Sequence, residues 1–365
     1  MYSFFMPVRI FAGSRCLFEN PSGLILGTKA AIITGASSAR LSGALADVTA
    51  ILNDRHIPYE IFDRVENNPT LECAYAAGQF TKQVGADFII GIGGGSPLDT
   101  AKAAAVYAAN DMEPMDIYSA DYSGPPLPIC AIPTTAGTGS EVTPYSILTL
   151  TKEQTKKSFS SPACFPKAAF LDGRYTKKLP LQIARNTAAD AISHCIEGYL
   201  NTKSSPASDY IALKGLSLFQ KHLKAFESDT FDENVCTELL FASSLGGIVI
   251  SQTGTTIVHS MGYQLTYHKD IPHGMANGLL LGEFLKRCAL VKPEKAQAAL
   301  SALGFSSIET LQDWLSQILP CQIHLTDEEI DRYTDVSIQA KNCAVCPFPI
   351  TKGMEMEIFR TIAKR

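Results

Sequence analysis

The chain has no basic excess: 31 Lys and Arg stand against 36 Asp and Glu, a formal charge of −5. No Lys/Arg-rich stretch with interleaved aromatics occurs, so a surface that tracks phosphate backbones is excluded and no nucleic-acid partner is expected. Long apolar runs are missing too. Nothing reaches the roughly 18 consecutive apolar residues of a membrane span, and Met1 to Arg9 holds no cationic segment leading into an apolar one. These absences predict no membrane association and a cytoplasmic location. No internal repeat or low-complexity tract is visible. The ten cysteines are spread over 365 residues without a dense framework, as reduced thiols in a reducing compartment would be. Cys343 and Cys346 form the one close pair, open to reading as a redox pair or half a zinc site. No second Cys-x-x-Cys completes four ligands, so ordinary reduced thiols are the favoured reading.

What is present is length enough for two domains. From about residue 29, Lys-Ala-Ala-Ile-Ile-Thr leads through Gly35-Ala36-Ser37-Ser38 into an apolar-periodic stretch ending at Leu52: strand, turn, helix. Ala86 to Ile90 reads as a buried strand that runs into Gly91, Gly93, Gly94 and Gly95, and Pro97 to Ala109 as an Ala-rich helix. Pro128 to Ile132 is a third strand. Short apolar strands separated by helices imply parallel pairing with crossovers. After Lys178-Leu179-Pro180 long helical patterns take over, at 181–200, 208–226 and 234–250. The expected architecture is a Rossmann-like α/β dinucleotide-binding domain over residues 1–177 and an all-α domain over 178–365.

Two loops suit a dinucleotide. Ser96-Pro97-Leu98-Asp99 supplies an N-cap serine, a proline at the first helical position and a carboxylate in the first turn, while Gly94 and Gly95 let backbone amides approach a ligand at the positive end of the helix. The second loop, Pro133 to Glu141, gathers the hydroxyls of Thr134, Thr135 and Thr138 among glycines, as ribose and phosphate oxygens require. An acidic residue after the first strand would bond the ribose of NAD and repel a 2′-phosphate. Here Gly35, Ser37, Ser38 and Arg40 occupy that turn, giving hydroxyl donors and a fixed positive charge. The expectation is NADP(H) in preference to NAD(H).

Asp190 and His194 are four residues apart in a helical pattern and share one face. With His259 and His273, far along the chain, they offer one oxygen and three nitrogens, enough for a divalent first-row metal with a position left open. Spacing alone does not connect the four.

The segments Gly93 to Lys102, Pro133 to Thr143, Asp190-x-x-x-His194-x-x-Glu197-Gly198-Tyr199, and His259 with Pro272-His273-Gly274 together resemble the iron-containing (group III) alcohol dehydrogenases. The resemblance runs in order from Phe11 to near the C-terminus. Within that family the chain is most similar to the NADP-linked branch of 1,3-propanediol dehydrogenase type, through Thr34-Gly35-x-Ser37-Ser38, residues 144–148 and residues 252–256. The resemblance implies the dehydroquinate synthase-like fold of that family and a homodimer or higher homo-oligomer. It implies Fe(II), with Zn(II) or another divalent ion as substitute, on Asp190, His194, His259 and His273. It also places Gly95 and Ser96 at the pyrophosphate, Thr134, Thr135 and Thr138 along the dinucleotide, Asn68 near its adenosine end and Lys157 near the nicotinamide ribose. The implied reaction is hydride transfer between NADP(H) and a small primary alcohol or diol, such as 1,3-propanediol, and its aldehyde.

One position departs from the family pattern. Many members carry a second histidine four residues after the one matching His259, and this chain has Tyr263. Tyr263, His268 or a water chain is left to relay protons. Glu197 is open to reading as a support for the ligands or as a structural ion pair. Two alternatives to the main function stand beside it: a lyase like dehydroquinate synthase, and a reductase of aldehydes bearing a carboxylate, sulfonate or phosphonate.

Overall fold

A computed structural model describes residues 2–119, 122 and 124–364. By contacts the chain divides into two compact units. The first comprises Phe5–Leu179 with Phe231–Ser244; the second comprises Met1–Phe4, Pro180–Thr230 and Leu245–Arg365. This differs from a single cut at 177/178, because residues 231–244 associate with the first unit. The cause is local: Gly173 lies so close to Glu233 and Thr237 that a Cβ there would fall 2.4 Å from the Glu233 carbonyl oxygen, and Ser244 Oγ donates to Glu141 Oε1 at 2.6 Å.

In the first unit, β1 (Arg9–Ala12), β2 (Ala30–Gly35), β3 (Tyr59–Val65), β4 (Phe88–Gly93), β5 (Ile129–Pro133) and β8 (Ala168–Leu171) form one sheet in the order β1-β8-β5-β4-β2-β3. Its pairings are parallel. Successive residues face opposite sides, and both sides are covered. Ile32, Phe88, Ile90 and Ile132 pack with Val48 and Leu52, whereas Ala31, Ile33 and Ile89 pack with Ala101, Ala104 and Ala105. That double burial explains why the central strands β2, β4 and β5 read as apolar runs, while the edge strands β1 and β3 are mixed. From β2 the chain steps to β3 on one side and then returns to β4 on the other, so the carboxyl ends of β2 and β4 flank the point where strand order reverses. Open parallel sheets bind ligands at such a point.

The strands β6 (Tyr145–Leu150) and β7 (Thr155–Ser160) form an antiparallel hairpin outside the parallel sheet, which the sequence reading did not resolve. Gln154, with φ 51°, makes the turn, an αL position without glycine. The second unit is helical, built on Leu181–Leu200, Pro206–Lys221, Ile257–Lys269, His273–Val291 and shorter helices. The Glu233–Thr253 helix averages hydropathy 1.4 over an 18-residue window, long and apolar enough by composition to cross a membrane, yet 67% of that window is buried in the fold. The ten cysteines are all free thiols.

Near the C-terminus, Glu355 on the Lys352–Ile362 helix is fully buried. Ser337 Oγ donates to its Oε2 and the Cys343 thiol lies 3.8 Å from its Oε1. Burial outweighs these hydrogen bonds and raises its pKa to about 7. A carboxyl whose folded pKa exceeds its unfolded value stabilises the fold fully below the unfolded pKa and loses that contribution as pH rises through the folded one. Stability to urea is therefore expected to fall between about pH 5 and about pH 8 by on the order of 2 kcal/mol from this group, and E355Q is expected to flatten the dependence. Equal slopes for both proteins would exclude Glu355 as its source.

Candidate functional site

Asp190 and His194 project from one face of the Leu181–Leu200 helix, His259 from the first turn of Ile257–Lys269, and His273 opens His273–Val291. Close helix approach brings them together. A Cβ on Gly274 would lie 1.8 Å from the Asn186 carbonyl oxygen and 3.0 Å from Asp190 Cβ, so only glycine after His273 lets these two helices meet.

The four side chains converge. Asp190 Oδ1 is 3.5 Å from His259 Nε2 and 3.7 Å from both His194 Nε2 and His273 Nε2, and the His194 and His259 Nε2 atoms are 2.9 Å apart. Bonds of about 2.0–2.2 Å to a tetrahedral cation give ligand-to-ligand edges of roughly 3.3–3.6 Å, the range these separations bracket. Asp190, His259 and His273 place donor atoms within 4.8 Å of one another, and His194 joins them through Asp190 and His259 rather than through His273. Three imidazole nitrogens and a carboxylate at such spacing are a donor set for a divalent first-row cation. His273, with 24% of its side chain exposed, is the most open of the four; the others are 4–5% exposed.

Around them lies a built second layer. Glu197, one turn beyond His194, is fully buried; its Oε2 pairs with His259 Nδ1, and its Oε1 accepts from the Thr256 N–H at 2.7 Å and Thr256 Oγ1 at 2.6 Å. Carboxylates on the far nitrogen of a ligating histidine fix its tautomer and raise its basicity. Asn277 Nδ2 donates to Asp190 Oδ1 at 2.8 Å. Burial by itself would push both carboxyls up, but the surrounding histidines at Asp190, and His259 with Thr256 at Glu197, hold each below the usual range. Burial opposes a charged His259; Glu197 and Asp190 overcome it and raise its pKa to about 10.

Of the two relay candidates, Tyr263 stacks on His273 with ring centroids 5.2 Å apart and meets His259 edge-on at 6.4 Å. His268 instead stacks on Tyr333 at 4.9 Å, its pKa pushed down by burial and by Arg332. The structure thus brings Tyr263, and not His268, against the His259 and His273 rings.

The loops named for the dinucleotide sit at the carboxyl ends of β2, β4 and β5. The helix after β4 spans Gly95–Ala109 with Gly94 at its N-cap, so it starts two residues before the serine-capped start read from sequence. Pro97 tolerates this because the first-turn amides have no intrahelical partner. Ser96 Oγ, released from capping, accepts from the Asn68 N–H at 3.2 Å. A Cβ on Gly95 would lie 2.7 Å from Thr138 Cγ2, so the second loop packs directly on this helix end. Thr134 Oγ1 is buried and has no hydrogen-bond partner among the described residues, a polar atom that a ligand hydroxyl or phosphate would satisfy. Both features fit a dinucleotide at the loops. Gly35, Ser37 and Ser38 form the turn after β2, where Arg40 pairs with Asp63 at 3.1 Å.

Two of the named residues point elsewhere. The Asp99 carboxylate turns inward, accepting from Ser140 Oγ at 2.5 Å and the Ile147 N–H at 3.0 Å, so it braces the loop rather than facing a ligand. Lys157 lies with its Nζ 4.5 Å above the Tyr118 ring, while its neighbour Lys156 donates to Asn68 Oδ1 at 2.7 Å. Adjacent strand residues face opposite ways, so Lys156 reaches Asn68 at the end of the site assigned to the adenosine while Lys157 meets Tyr118. K156M is expected to raise the KM for the dinucleotide by about tenfold, the worth of a charged hydrogen bond, and K157M by less than about twofold. The reverse order in steady-state kinetics would restore Lys157.

Residues 7–173 match the family "Iron-containing alcohol dehydrogenase", and residues 184–346 match "Fe-containing alcohol dehydrogenase family, C-terminal". The chain is 29% identical over 341 residues to alcohol dehydrogenase 4 of Schizosaccharomyces pombe, covering 93% of this chain and 78% of that protein. It is 31% identical over 280 residues to lactaldehyde reductase of Escherichia coli K12, covering 76% and 72%. Its fold is similar to the crystal structure of an iron-containing alcohol dehydrogenase from Thermotoga maritima, with TM-score 0.93, 36% identity and full coverage of both chains.

Proposed function

The chain belongs to the iron-containing alcohol dehydrogenase family, and from that premise we propose that it is a divalent-metal-dependent, NADP(H)-linked reductase of small aldehydes and dehydrogenase of the matching primary alcohols or diols. It is an oxidoreductase acting on alcohols, and its family implies a divalent metal and NAD(P). The observation that carries the finer reading is the convergence of Asp190, His194, His259 and His273 on one point. Fe(II) is the proposed ion and Zn(II) its substitute.

A divalent cation on one carboxylate and three neutral imidazoles supplies Lewis-acid polarisation of a carbonyl oxygen, and the nicotinamide supplies the hydride. The chain's own side chains prepare that chemistry. Glu197 keeps the proton of His259 on Nδ1, leaving Nε2 to face the centre. Asn277 orients the Asp190 carboxylate. Tyr263 covers the His273 ring and fixes its plane, and its phenolic oxygen is assigned the proton transfer that the missing histidine would perform.

Support for NADP(H) comes from the turn after β2: residues 35–40 carry no acidic side chain and two serine hydroxyls, and Arg40 adds a guanidinium that it shares with Asp63 of β3. The E. coli relative named lactaldehyde reductase supports a small aldehyde substrate. A cytoplasmic homodimer completes the reading, with ten free thiols suited to a reducing compartment.

The test is net oxidation of NADPH and of NADH against short neutral aldehydes, hydroxyaldehydes and aldehydes bearing a carboxylate or sulfonate. Turnover of a small neutral aldehyde with NADPH favoured at least about tenfold is expected. Preference for the anionic aldehydes would move the substrate class, and product formation without net NADPH loss would replace the reductase with a lyase.

A further inference from the structure

One lysine in the first unit has no solvent exposure at all: Lys102, six residues beyond Ser96 on the Gly95–Ala109 helix. A buried ammonium costs several kcal/mol unless it is well paired, so its partners are informative. Its Nζ donates to Ser140 Oγ at 2.6 Å, to the Tyr145 carbonyl at 2.7 Å and to Thr143 Oγ1 at 3.3 Å, and lies 3.6 Å from Asp99 Oδ1. Three protons meet three acceptors and one counter-ion. Asp99 adds its own ties to the same stretch, through Ser140 Oγ, the Ile147 N–H and, at its backbone carbonyl, Ser146 Oγ at 2.8 Å.

Apart from Asp99 on the same helix, these partners lie in residues 140–147, directly after the Thr134–Thr138 loop. At the cradle itself the loop packs closely on the helix start, with Gly94 under Thr135 and Gly95 under Thr138. The polar anchor is rooted at Asp99 and Lys102, about 6 and 10 Å along the helix from Gly95 at 1.5 Å per residue. The loop is held at its start by the Thr134 N–H donating to the Gly93 carbonyl at 2.9 Å, and the charged anchor holds the stretch that follows it.

We propose that Lys102 is a positioning residue for the dinucleotide: by tying residues 140–145 to the helix that begins at Gly95, it sets the gap between the Thr134–Thr138 loop and the helix N-terminus that receives the pyrophosphate. This rests on the reading that those two loops hold the dinucleotide. Lys102 itself touches no ligand. Burial pushes the Lys102 ammonium down and the Asp99 carboxyl up, each restrained by the other, so deleting the lysine alone strands a carboxylate. Removing both charges together avoids that.

The experiment measures NADPH dissociation constants, from reduced-nicotinamide fluorescence, together with KM, kcat and bound metal, on the metal-loaded protein and its S140A, D99N/K102M and G95A variants. S140A and D99N/K102M are each expected to raise Kd and KM for NADPH about tenfold, as loss of charged hydrogen bonds would. The kcat is expected to stay within about twofold and metal content to remain unchanged, a split that general loosening of the fold would not produce. If S140A binds NADPH as the parent does, Lys102 is a component of the fold only; S140A decides alone should the double variant not fold. G95A, whose methyl would meet Thr138, separates the two levels. Parent-like binding by G95A would overturn the cradle; loss of binding by G95A with S140A unaffected would overturn only the role of Lys102.

Discussion

Replacing Asp190 by asparagine is expected to lower aldehyde reduction by about a thousandfold or more, because several kcal/mol of charge stabilisation at the proposed metal centre go with it. Asparagine is nearly the same shape, so the loss reports charge and donor strength rather than packing. Asp190 is the one anionic donor among the four, with its Oδ1 3.5–3.7 Å from three imidazole nitrogens. Bound metal per chain should fall in parallel. E197Q offers the graded comparison: its carboxylate contacts His259 and Thr256 but is not itself among the four donors, and supports of this kind are worth about 10–100-fold in metal affinity. An E197Q protein with parent-like metal affinity would reduce Glu197 to a structural ion pair. A D190N protein that turned over normally would remove Asp190 from the centre altogether.

The second large effect concerns the nucleotide. G35D is expected to cut kcat/KM for NADPH by about a hundredfold, a like-charge cost of about 3 kcal/mol against the 2′-phosphate, and to change NADH by less than about threefold. The fit is tight but not closed: a Cβ on Gly35 would lie 3.2 Å from the Val65 carbonyl oxygen and 3.9 Å from Ser38 Oγ, so that carbonyl must give by a few tenths of an ångström. Equal loss with both nucleotides would point to distortion of the turn. No loss with either would move the adenosine ribose away from the end of β2.

Much of this was legible in the sequence for identifiable reasons. The parallel sheet announced itself because strands covered on both faces are apolar at every position, as Ile32, Ile33, Ile89 and Ile90 are. Asp190 and His194 are helix neighbours by spacing alone. Their meeting with His259 and His273 is tertiary, and only the motif resemblance linked them before the structure did. The sequence was least informative where one residue of register decides orientation. Ser96 looked like a cap, but the helix begins at Gly95 and frees its hydroxyl for Asn68. Lys157 and Lys156 are adjacent in sequence and opposite in space. Asp99 reads as a first-turn carboxylate, yet a buried lysine one turn on draws it inward. The β6–β7 hairpin turns at Gln154, where no glycine marks the left-handed position. Residues 231–244 belong with the first unit through contacts of Gly173 and Glu141 that no local pattern displays.

The most direct measurement is metal reconstitution: strip the protein with a chelator, confirm that it remains folded, and follow NADPH oxidation with a short aldehyde while Fe(II) or Zn(II) is titrated back anaerobically. Activity absent after stripping and restored at about one ion per chain, with D190N taking up none, is the expected result. Full activity in the stripped protein, or restoration that proceeds equally well in D190N, would contradict a catalytic metal on Asp190, His194, His259 and His273.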